Sequence, residues 1–419
     1  MQVYKFGGAS VKDAESIQNV ANIIKNTTDK NLLVVISAMG KTTNALEELT
    51  KKYFLQENDV LEQLNSIREY HFDVINDLFQ NGSSPVYNDI NNTFVEIEWM
   101  IEDEPQDPFD FIYDQIVSIG ELLSSKIVSH YLNFAGIQNK CLDARSYIQT
   151  DNTYREAKVN WEKTCQLISK EIPDILQEHI VVTQGFIGNT SENFTTTLGR
   201  EGSDYSAAIF AHCLNAEKTT IWKDVPGILN ADPKLFANTV KFDELSYAEA
   251  IEMTYYGATV LHPKTIKPLQ NKHIPLFVKP FLAPTENGTI IKEENISIHT
   301  PIIIVKKDQI LLSINSKDLS FISEKHLRDL FKAFTENLIR INMMQISALS
   351  FSVCFDYDEQ KFKNLTANIA EHFSFKFNQN LELITIRHAN QETIDKYVDA
   401  TKLVLEQKSR NTGQFIVFG

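Results

Sequence analysis

The stretch Thr195–Tyr205, TTTLGREGSDY, places an arginine between two glycines and then opens an apolar helix. Gly199 and Gly202 bracket Arg200, whose planar guanidinium is suited to clamp a carboxylate through two hydrogen bonds. Asp204 falls in the first helical turn, where the helix dipole favours a carboxylate in any case. The stretch therefore predicts an anion-binding loop at a helix start, although Asp204 also has this ordinary structural explanation.

A second glycine turn, KFGGAS (Lys5–Ser10), directly follows the first predicted strand. The backbone N–H groups of Gly7 and Gly8 and the next helix N-terminus can converge on an anion, and Lys5 adds a positive charge. A plain turn in which Ser10 caps the helix explains the same residues. The loop matches neither the Walker pattern nor GxGxxG, so both readings stay open.

Two further segments follow predicted strands, at the edge where open α/β sheets bind ligands. SAMGKTTN (Ser37–Asn44) offers small hydroxyl side chains to a polar ligand, or forms an ordinary strand-to-helix turn. WKDVPGI (Trp222–Ile228), followed by Asp232 and Lys234, has an aromatic edge suited to a base. A Pro-Gly turn needs no other explanation, so the second segment is also ambiguous.

The order of apolar runs predicts two regions. Up to residue 292, short apolar runs such as Gln2–Phe6 and Leu32–Ser37 alternate with helical periodicity, which indicates stacked β-α units. We interpret 81–108 as a solvated loop. After the turn-rich Pro284–Gly288, residues 299–419 predict two short β-α-β-type units. These units include separate strands Ile302–Val305 and Ile310–Ile314 and a helix Gln391–Gln407.

The net charge of −15 makes nucleic acid and anionic membranes improbable partners. Four widely spaced cysteines, without a CxxC pair or clustered histidines, argue against a disulfide framework or zinc site. The N-terminus reads as a strand rather than a signal peptide, and no apolar run approaches about 18 residues. We therefore expect a cytoplasmic protein that binds no metal through its own side chains.

Taken together, the segments resemble the aspartokinase family of the amino-acid-kinase superfamily. The matching phrases run from Lys5 to about Thr289: KFGGAS, SAMGKTTN, IGELLS (Ile119–Ser124), TQGFIG (Thr183–Gly188), TTTLGREGSDY, WKDVPGI and YGATVLHPKT (Tyr256–Thr265). The resemblance implies a three-layer α/β/α catalytic domain with an open, mostly parallel sheet over residues 1–292. It also implies paired ACT-like α+β regulatory modules over residues 299–419.

The resemblance also implies an activity and a role for each matching residue. The enzyme would transfer the γ-phosphoryl group of ATP, with Mg²⁺, to the side-chain carboxylate of L-aspartate, the first step towards lysine, threonine, methionine and diaminopimelate. Asp204 would orient a catalytic lysine. The phosphate-binding residues would be Lys5, Gly7, Gly8 and Ser10. The aspartate site would contain Ser37, Thr43, Glu121 and Arg200. The nucleotide pocket would include Trp222, Lys223, Asp224, Gly227, Asp232, Lys234 and Lys264.

The residue types fit this chemistry. Aspartate carries two carboxylates and an ammonium, so its site needs cations and one acid, as Arg200 and Glu121 provide. Glu121 lies in an otherwise apolar stretch, where a lone acid needs a cationic partner. The nucleophile is already ionised, since an aspartate side chain has a pKa of about 3.9, so no general base is required. Catalysis would rest on positioning and on charge neutralisation.

Three other functions stay open. Another acceptor, such as acetylglutamate, glutamate, carbamate or a nucleotide, would use the same fold. A catalytically weak ligand sensor is the alternative from a different class. A bifunctional enzyme is the third, although no dehydrogenase segment appears before Gly419. An ATP-consumption assay across these acceptors would separate most of them.

Two departures from the family pattern lead to specific hypotheses. Thr259 stands where the family's YGAKV phrase has a lysine, and Lys223 stands where threonine is common, so Lys223 either replaces the missing cation or is a solvated strand-end lysine. The regulatory turn lacks its usual glycine, and Asn342 replaces an aspartate. We therefore expect weak or absent lysine inhibition, with threonine or no effector as the alternatives. ACT-like units expose sheet edges and helices that commonly pair across a two-fold axis, so we also expect a homodimer through this region. The predicted regulatory residues are Ser316, Phe321, Asn342 and Ser347.

Overall fold

The computed structural model describes residues 1–27, 31–79, 85–258, 261–294, 296–318 and 320–419. It divides into two compact units. The first comprises Met1–Ile228, Lys241–Ile251 and Thr259–Ile296, and the second comprises Leu229–Val240, Glu252–Ala258 and Ser297–Gly419. The second unit thus takes in two short segments that precede residue 292, and the domain boundaries inferred from sequence stay a prediction.

The first unit is built on an eight-stranded sheet. Its strands and a separate two-stranded hairpin are β1 (Gln2–Phe6), β2 (Leu32–Ile36), β3 (Asn139–Leu142), β4 (Ile180–Gln184), β5 (Ile187–Asn189), β6 (Thr195–Thr197), β7 (Lys218–Lys223), β8 (Glu244–Ser246), β9 (Leu276–Pro280) and β10 (Thr289–Lys292). The sheet order is β3-β4-β2-β1-β7-β9-β10-β8, and β5 pairs with β6. Only the β9–β10 pair of the large sheet is antiparallel. The predicted open, mostly parallel sheet is confirmed.

Helices surround this sheet, as its buried apolar strands require. They are α1 (Ala14–Lys25), α2 (Thr42–Phe54), α3 (Val60–Phe79), α4 (Val86–Glu102), α5 (Phe109–Val117), α6 (Ile119–Phe134), α7 (Trp161–Glu178), α8 (Gly202–Cys213) and α10 (Pro263–Gln270). Helix α9 (Tyr247–Tyr256) begins in this unit, and its residues from Glu252 onward belong to the second unit. The prediction of a solvated loop over 81–108 is wrong because α4 occupies most of it. Val86, Ile90, Phe94 and Ile97 lie one turn apart and are buried, a periodicity that the flanking turn residues and acids obscured.

The second unit contains a six-stranded antiparallel sheet in the order β12-β13-β11-β14-β16-β15. Its elements are β11 (Ile302–Ser316), α11 (Glu324–Glu336), β12 (Ile341–Ile346), β13 (Ser350–Asp356), α12 (Glu359–Ile369), β14 (Phe373–Arg387), α13 (Gln391–Tyr397), β15 (Leu403–Lys408) and β16 (Thr412–Phe418). This α+β arrangement agrees with the predicted ACT-like modules.

Two details of the second unit differ from the sequence analysis. The strands predicted at Ile302–Val305 and Ile310–Ile314 form one strand, β11, which bulges between Lys306 and Gln309 and so passes through its polar middle. The predicted helix Gln391–Gln407 ends at Tyr397, and residues 403–408 pair with β16 instead. Pairing with β16 thus decides the structure of residues 403–408, although the apolar spacing of this segment also fits a helix.

The structure also contains a disulfide that the sequence analysis did not expect. Cys165 of α7 and Cys213 of α8 are bonded, with their Cα atoms 4.8 Å apart. The two cysteines are separated by 48 residues, and only the side-by-side packing of the two helices brings them together.

Among the described helices, none is long and apolar enough to cross a membrane.

Gly288, in the β9–β10 connection, should be essential to the fold. Its φ is +69°, and a Cβ atom there would overlap the carbonyl oxygen of Val278. Gly136 has a similar φ of +79° with open space around it, so Gly136→Ala is a matched control for backbone strain alone. We expect Gly288→Ala to lower the free energy of unfolding by about 2 kcal/mol or more beyond the control. Equal losses in urea denaturation would contradict this steric account.

Candidate functional site

The candidate site lies where the direction of strand order reverses at β1. From β1 the chain continues to β2 on one side, while β7 pairs with β1 on the other side, and all three strands are parallel. Loops after such strands diverge and leave a crevice at their carboxyl ends, where open α/β sheets bind ligands. Lys5 and Lys223 lie at these ends of β1 and β7, and Ser37 follows β2.

Asp204 is the centre of a charge cluster in this crevice. Its carboxylate is fully buried in the first turn of α8. One oxygen, Oδ1, lies 2.6 Å from Lys5 Nζ, and the other, Oδ2, lies 3.1 Å from Lys223 Nζ. Asp204 thus contacts two lysines, and its role in orienting a catalytic lysine stays a prediction.

The cluster favours the charged forms of Asp204 and Lys223. Burial alone raises the pKa of Asp204, but the adjacent ammonium groups of Lys5 and Lys223 outweigh burial and hold its pKa below the ordinary value. Burial correspondingly opposes the charge of Lys223, while Asp204 and Glu201 raise its pKa above the ordinary value. A buried carboxylate thus binds two ammonium groups at the carboxyl ends of β1 and β7.

The glycine turn holds Lys5 close to the backbone of the neighbouring loop. A Cβ atom on Gly7 would lie 3.6 Å from Lys5 Nζ, and one on Gly8 would lie only 2.7 Å from the carbonyl oxygen of Ala38. The N–H of Gly40 donates to the carbonyl of Gly8 at 3.0 Å, and Ser10 donates its N–H to Gly7. Only glycine therefore fits at Gly8, as a phosphate-binding turn would require. Ser10 does not cap α1, because Asp13 does.

Glu121 is buried in the first turn of α6, where the sequence predicted a lone acid among apolar residues. Burial raises its pKa to about 8, while the charge of Lys5 and a backbone hydrogen bond from Ala38 lower it. Its Oε2 atom is buried without a hydrogen-bond partner among the described residues. A buried carboxylate oxygen in this state suits the ammonium group of a ligand.

The remaining residues predicted to bind aspartate lie on elements at the same edge of the sheet. Ser37 is buried, and its carbonyl accepts a hydrogen bond from the Ser124 hydroxyl at 2.7 Å. Thr43 is half-buried in the first turn of α2. Arg200 is exposed in the loop between β6 and α8 and forms no ion pair with a described residue. Its guanidinium is therefore available to a carboxylate.

Trp222 points away from this cluster. Side chains alternate along a strand, so Trp222 and Lys223 lie on opposite faces of β7. The indole stacks on Phe6 with ring centroids 6.0 Å apart and meets Tyr4 edge-on. The resemblance implied that Trp222 and Lys223 share the nucleotide pocket, but their side chains lie on opposite faces of the sheet, and the nucleotide-binding role of Trp222 stays a prediction.

Other residues assigned to the nucleotide pocket lie on several segments. Asp224 is exposed after β7, and buried Gly227 has φ +147° against Thr289. Lys264 is half-buried in the first turn of α10. Asp232 and Lys234 belong to the second unit, where the Lys234 N–H donates to the Asp232 carboxylate. Their nucleotide-binding roles stay predictions, and Thr259 lies outside the described residues.

Two residues near the site were missed from the sequence. Asp114 of α5 is buried and accepts hydrogen bonds from the N–H of Arg155 and from both the N–H and the hydroxyl of Thr197. It thereby anchors β6, which leads into the Arg200 loop. The sequence could have pointed to Asp114, because it is a lone acid in an apolar helix, the same feature that identified Glu121. Glu201 precedes α8 with φ 56° and lies 3.8 Å from Lys223, a pairing that the sequence could not show.

The predicted regulatory residues do not form one site within the chain. Ser316 ends β11, exposed Phe321 follows it, and Ser347 lies beyond the end of β12. Asn342 is at the opposite end of the sheet, where its amide donates to Gln309 and Asp356 and accepts from Lys306. Comparison with the family pattern had placed all four residues in one regulatory site. The antiparallel register instead places Asn342 near the Gln309–Asp356 pair.

Comparisons with known proteins agree with this geometry. Residues 1–280 match the model of the amino acid kinase family. The chain is 32% identical over 357 residues to lysine-sensitive aspartokinase 3 of Escherichia coli, which covers 84% of this chain and 78% of that protein. It is 30% identical over 367 residues to aspartokinase 1 of Arabidopsis thaliana, covering 84% of this chain and 63% of that one. It spans 42% of the length of a bifunctional aspartokinase/homoserine dehydrogenase of the same plant.

Solved structures give the same result. The fold matches that of E. coli aspartokinase III in complex with aspartate and ADP (R-state), with a TM-score of 0.85 and 27% identity over 100% of this chain and 96% of that one. It matches the same enzyme in complex with lysine and aspartate (T-state) with a TM-score of 0.81 and the same coverage.

The raised pKa of Glu121 predicts a pH-dependent stability difference. Between its ordinary pKa of 4.5 and about 8, the folded protein keeps the proton on Glu121 while the unfolded chain releases it. The stability that protonated Glu121 contributes to the folded protein is therefore fully present below pH 4.5, and it is lost as the pH rises through 8. As the pH rises from 5 to 8, the free energy of unfolding of Glu121→Gln should increase relative to that of the wild type by on the order of 3 kcal/mol. Urea denaturation measures this gain, with exposed Glu57→Gln as the control. A difference independent of pH would contradict the burial of an ionisable Glu121.

Proposed function

Because the chain belongs to the amino acid kinase family and, within it, to the aspartokinases, we propose that it transfers the γ-phosphoryl group of ATP to the side-chain carboxylate of L-aspartate. The observation that carries the proposal is the buried Asp204 carboxylate, which binds the ammonium groups of Lys5 and Lys223. These cations lie on two neighbouring strands at the carboxyl edge of the sheet, where a transferring phosphoryl group needs positive charge.

The reaction needs positioning and charge neutralisation rather than a base. The aspartate carboxylate, with an ordinary pKa of about 3.9, is ionised at neutral pH. One of its oxygens bonds to the γ-phosphorus as the bond from that phosphorus to the β,γ-bridging oxygen breaks, and ADP leaves with the electron pair. Lys5 and Lys223 reduce the negative charge on the phosphoryl oxygens, and Asp204 keeps both ammonium groups in place.

The acceptor is recognised by charge. Arg200 is exposed without an ion-pair partner among the described residues and would bind the α-carboxylate of aspartate. Glu121 keeps its proton up to a pH of about 8 in the free protein, and on binding it would release that proton to solvent and pair with the substrate ammonium. The ammonium supplies the hydrogen bond that the buried Oε2 lacks in the free protein. Thr43 and Ser37 would line the same crevice. This set of one cation and one acid fits an amino acid with a second carboxylate.

Mg²⁺ would enter with the nucleotide. Among the described residues there is no cluster of three or more acids, histidines or cysteines to hold a metal ion. ATP phosphates commonly supply most ligands of Mg²⁺ in kinases. Bound in this way, Mg²⁺ would neutralise part of the phosphate charge, and Gly7, Gly8 and Ser10 would contact the phosphates.

We also propose a homodimer through the second unit. β12 and β15 are the outer strands of its six-stranded sheet, and an unprotected sheet edge favours pairing with another copy.

Weak or absent inhibition by lysine stays part of the proposal, since Asn342 is neutral and already bonded to Gln309 and Asp356. Titrating lysine and threonine, singly and together, into the kinase assay would decide the effector.

Removal of Lys5 should abolish most of the activity. With ATP, Mg²⁺ and L-aspartate, the wild type should form an acyl phosphate that hydroxylamine traps. Lys5→Ala should reduce kcat by about 10²-fold or more, since one charge at the phosphoryl group contributes several kcal/mol. Exposed Lys25→Ala is the control. Near-normal kcat in Lys5→Ala would disprove the phosphate role of Lys5.

Arg200→Lys should mainly raise the KM for aspartate. Lysine keeps the positive charge but loses the planar fork that binds a carboxylate through two hydrogen bonds. Initial rates measured against aspartate and against ATP separate the two halves of the site. A change confined to the KM for ATP would place Arg200 with the nucleotide instead.

Lys223→Ala tests whether this lysine replaces the family lysine missing at Thr259. We expect a loss of kcat comparable to that of Lys5→Ala, because both ammonium groups are bound by the same carboxylate. Thr259→Lys should partly restore activity in the Lys223→Ala background. Full activity of Lys223→Ala would exclude the hypothesis and turn attention to Lys264.

A further inference from the structure

A cavity of about 960 Å³ lies in the first unit, on the face of the sheet opposite Asp204. Its floor consists of side chains from β1, β7 and β9, including Tyr4, Trp222 and Phe277. Helix α1 and residues 284–288 form its walls. Strand alternation separates it from the kinase site, because Tyr4 and Trp222 point into it while the next residues, Lys5 and Lys223, point the other way.

Lysines and aromatic rings alternate on this floor. Parallel pairing sets Thr220 beside Phe277 and Trp222 beside Lys279, with Lys218 two residues before Thr220. Lys279 Nζ lies 5.4 Å from the Trp222 ring centroid, and Lys218 Nζ lies 5.7 Å from that of Phe277. Each ammonium group is therefore held over an aromatic face, which leaves its other side directed away from the ring.

Neither ammonium group is neutralised by an acid that the structure describes. Lys279 donates a hydrogen bond to the carbonyl of Pro284 at 3.1 Å. Burial and the nearby charge of Lys218 both lower the pKa of Lys279. Two like charges that repel each other in a partly dehydrated cleft are stabilised by a bound anion.

The acids of the cavity are already occupied or peripheral. Asp243 pairs with Lys241 at 2.9 Å, and Glu244 pairs with Lys292 at 3.1 Å. Glu286 is exposed on the wall segment. On the other side, α1 contributes the amide side chains of Asn19 and Asn22, and Asn26 follows at its C-terminal end. Asn19 already donates to the carbonyl of Phe281 at 2.9 Å, while such amides suit hydroxyl and ring-nitrogen groups. The cavity thus offers positive charge, planar apolar surface and neutral hydrogen-bonding groups.

We propose that this cavity is a second ligand site, which binds a small planar anion with the size and chemistry of a nucleoside monophosphate. The phosphate lies between Lys218 and Lys279, and the ring packs against the part of Phe277 that is not covered. The volume of the cavity is within the range of about 300–1,000 Å³ that is usual for pockets that bind small molecules. The bound molecule contacts the strands whose opposite faces carry Lys5 and Lys223.

Binding of adenosine 5′-monophosphate, measured by isothermal titration calorimetry, tests the proposal without reference to catalysis. Lys218→Gln and Lys279→Gln should each weaken binding by about 10-fold, because each removes one phosphate contact. Lys25→Gln, an exposed lysine of α1 outside the cavity, should have no effect. Lys5→Ala should leave this binding intact, whereas it would remove binding confined to the kinase site. Adenosine alone and inorganic phosphate alone should each bind more weakly than the intact nucleotide.

Acetylation of the wild-type protein provides a test that does not depend on the folding of variants. Mass spectrometry should show that adenosine 5′-monophosphate protects Lys218 and Lys279, while Lys25 reacts as before. Protection of Lys5 and Lys223 alone would mean that the nucleotide binds only in the kinase site. That result, or the absence of protection at millimolar nucleotide, would overturn the proposal.

Discussion

The first unit depends on one buried carboxylate. Asp204 is fully buried, and the cost of burying its charge is offset mainly by the ammonium groups of Lys5 and Lys223 at 2.6 and 3.1 Å. The three residues come from a helix and two neighbouring strands, so α8, β1 and β7 must keep their relative positions. Removing Asp204 would leave two neighbouring ammonium groups without their shared counter-ion, which is far less favourable than the intact cluster. The same constraint fixes two cations where a phosphoryl group can reach them.

Strand alternation gives the sheet two chemically different faces. Consecutive residues of β1 and β7 point to opposite sides, so charged Lys5 and Lys223 face α8 while Tyr4 and Trp222 face the cavity beside α1. This alternation explains both the kinase site and the separate location of the aromatic cleft. A ligand on either face contacts the same two strands, although the two sites share no side chain.

The sequence predicted the parts of the fold that short-range patterns control. Buried strands such as Gln2–Phe6 and the glycine turn after it were located correctly, because apolar runs and glycine constraints are local. Helix α4 and strand β15 were missed because tertiary packing decides those segments. The sheet face of the Trp222 side chain and the strand register of Asn342 were not predicted, because sequence phrases carry no information on face or register. Glu201, next to Lys223, needed the left-handed backbone that only the structure shows.

A crystal structure with L-aspartate, ADP and aluminium fluoride would test the central claim most directly. The account predicts that the fluoride, as a mimic of the transferring phosphoryl group, lies within hydrogen-bond distance of the ammonium groups of both Lys5 and Lys223. Asp204 should still contact both lysines, and the acceptor carboxylate should lie in line with the leaving oxygen. Aluminium fluoride bound away from this pair of lysines, with the Asp204 cluster empty of ligand, would contradict the account.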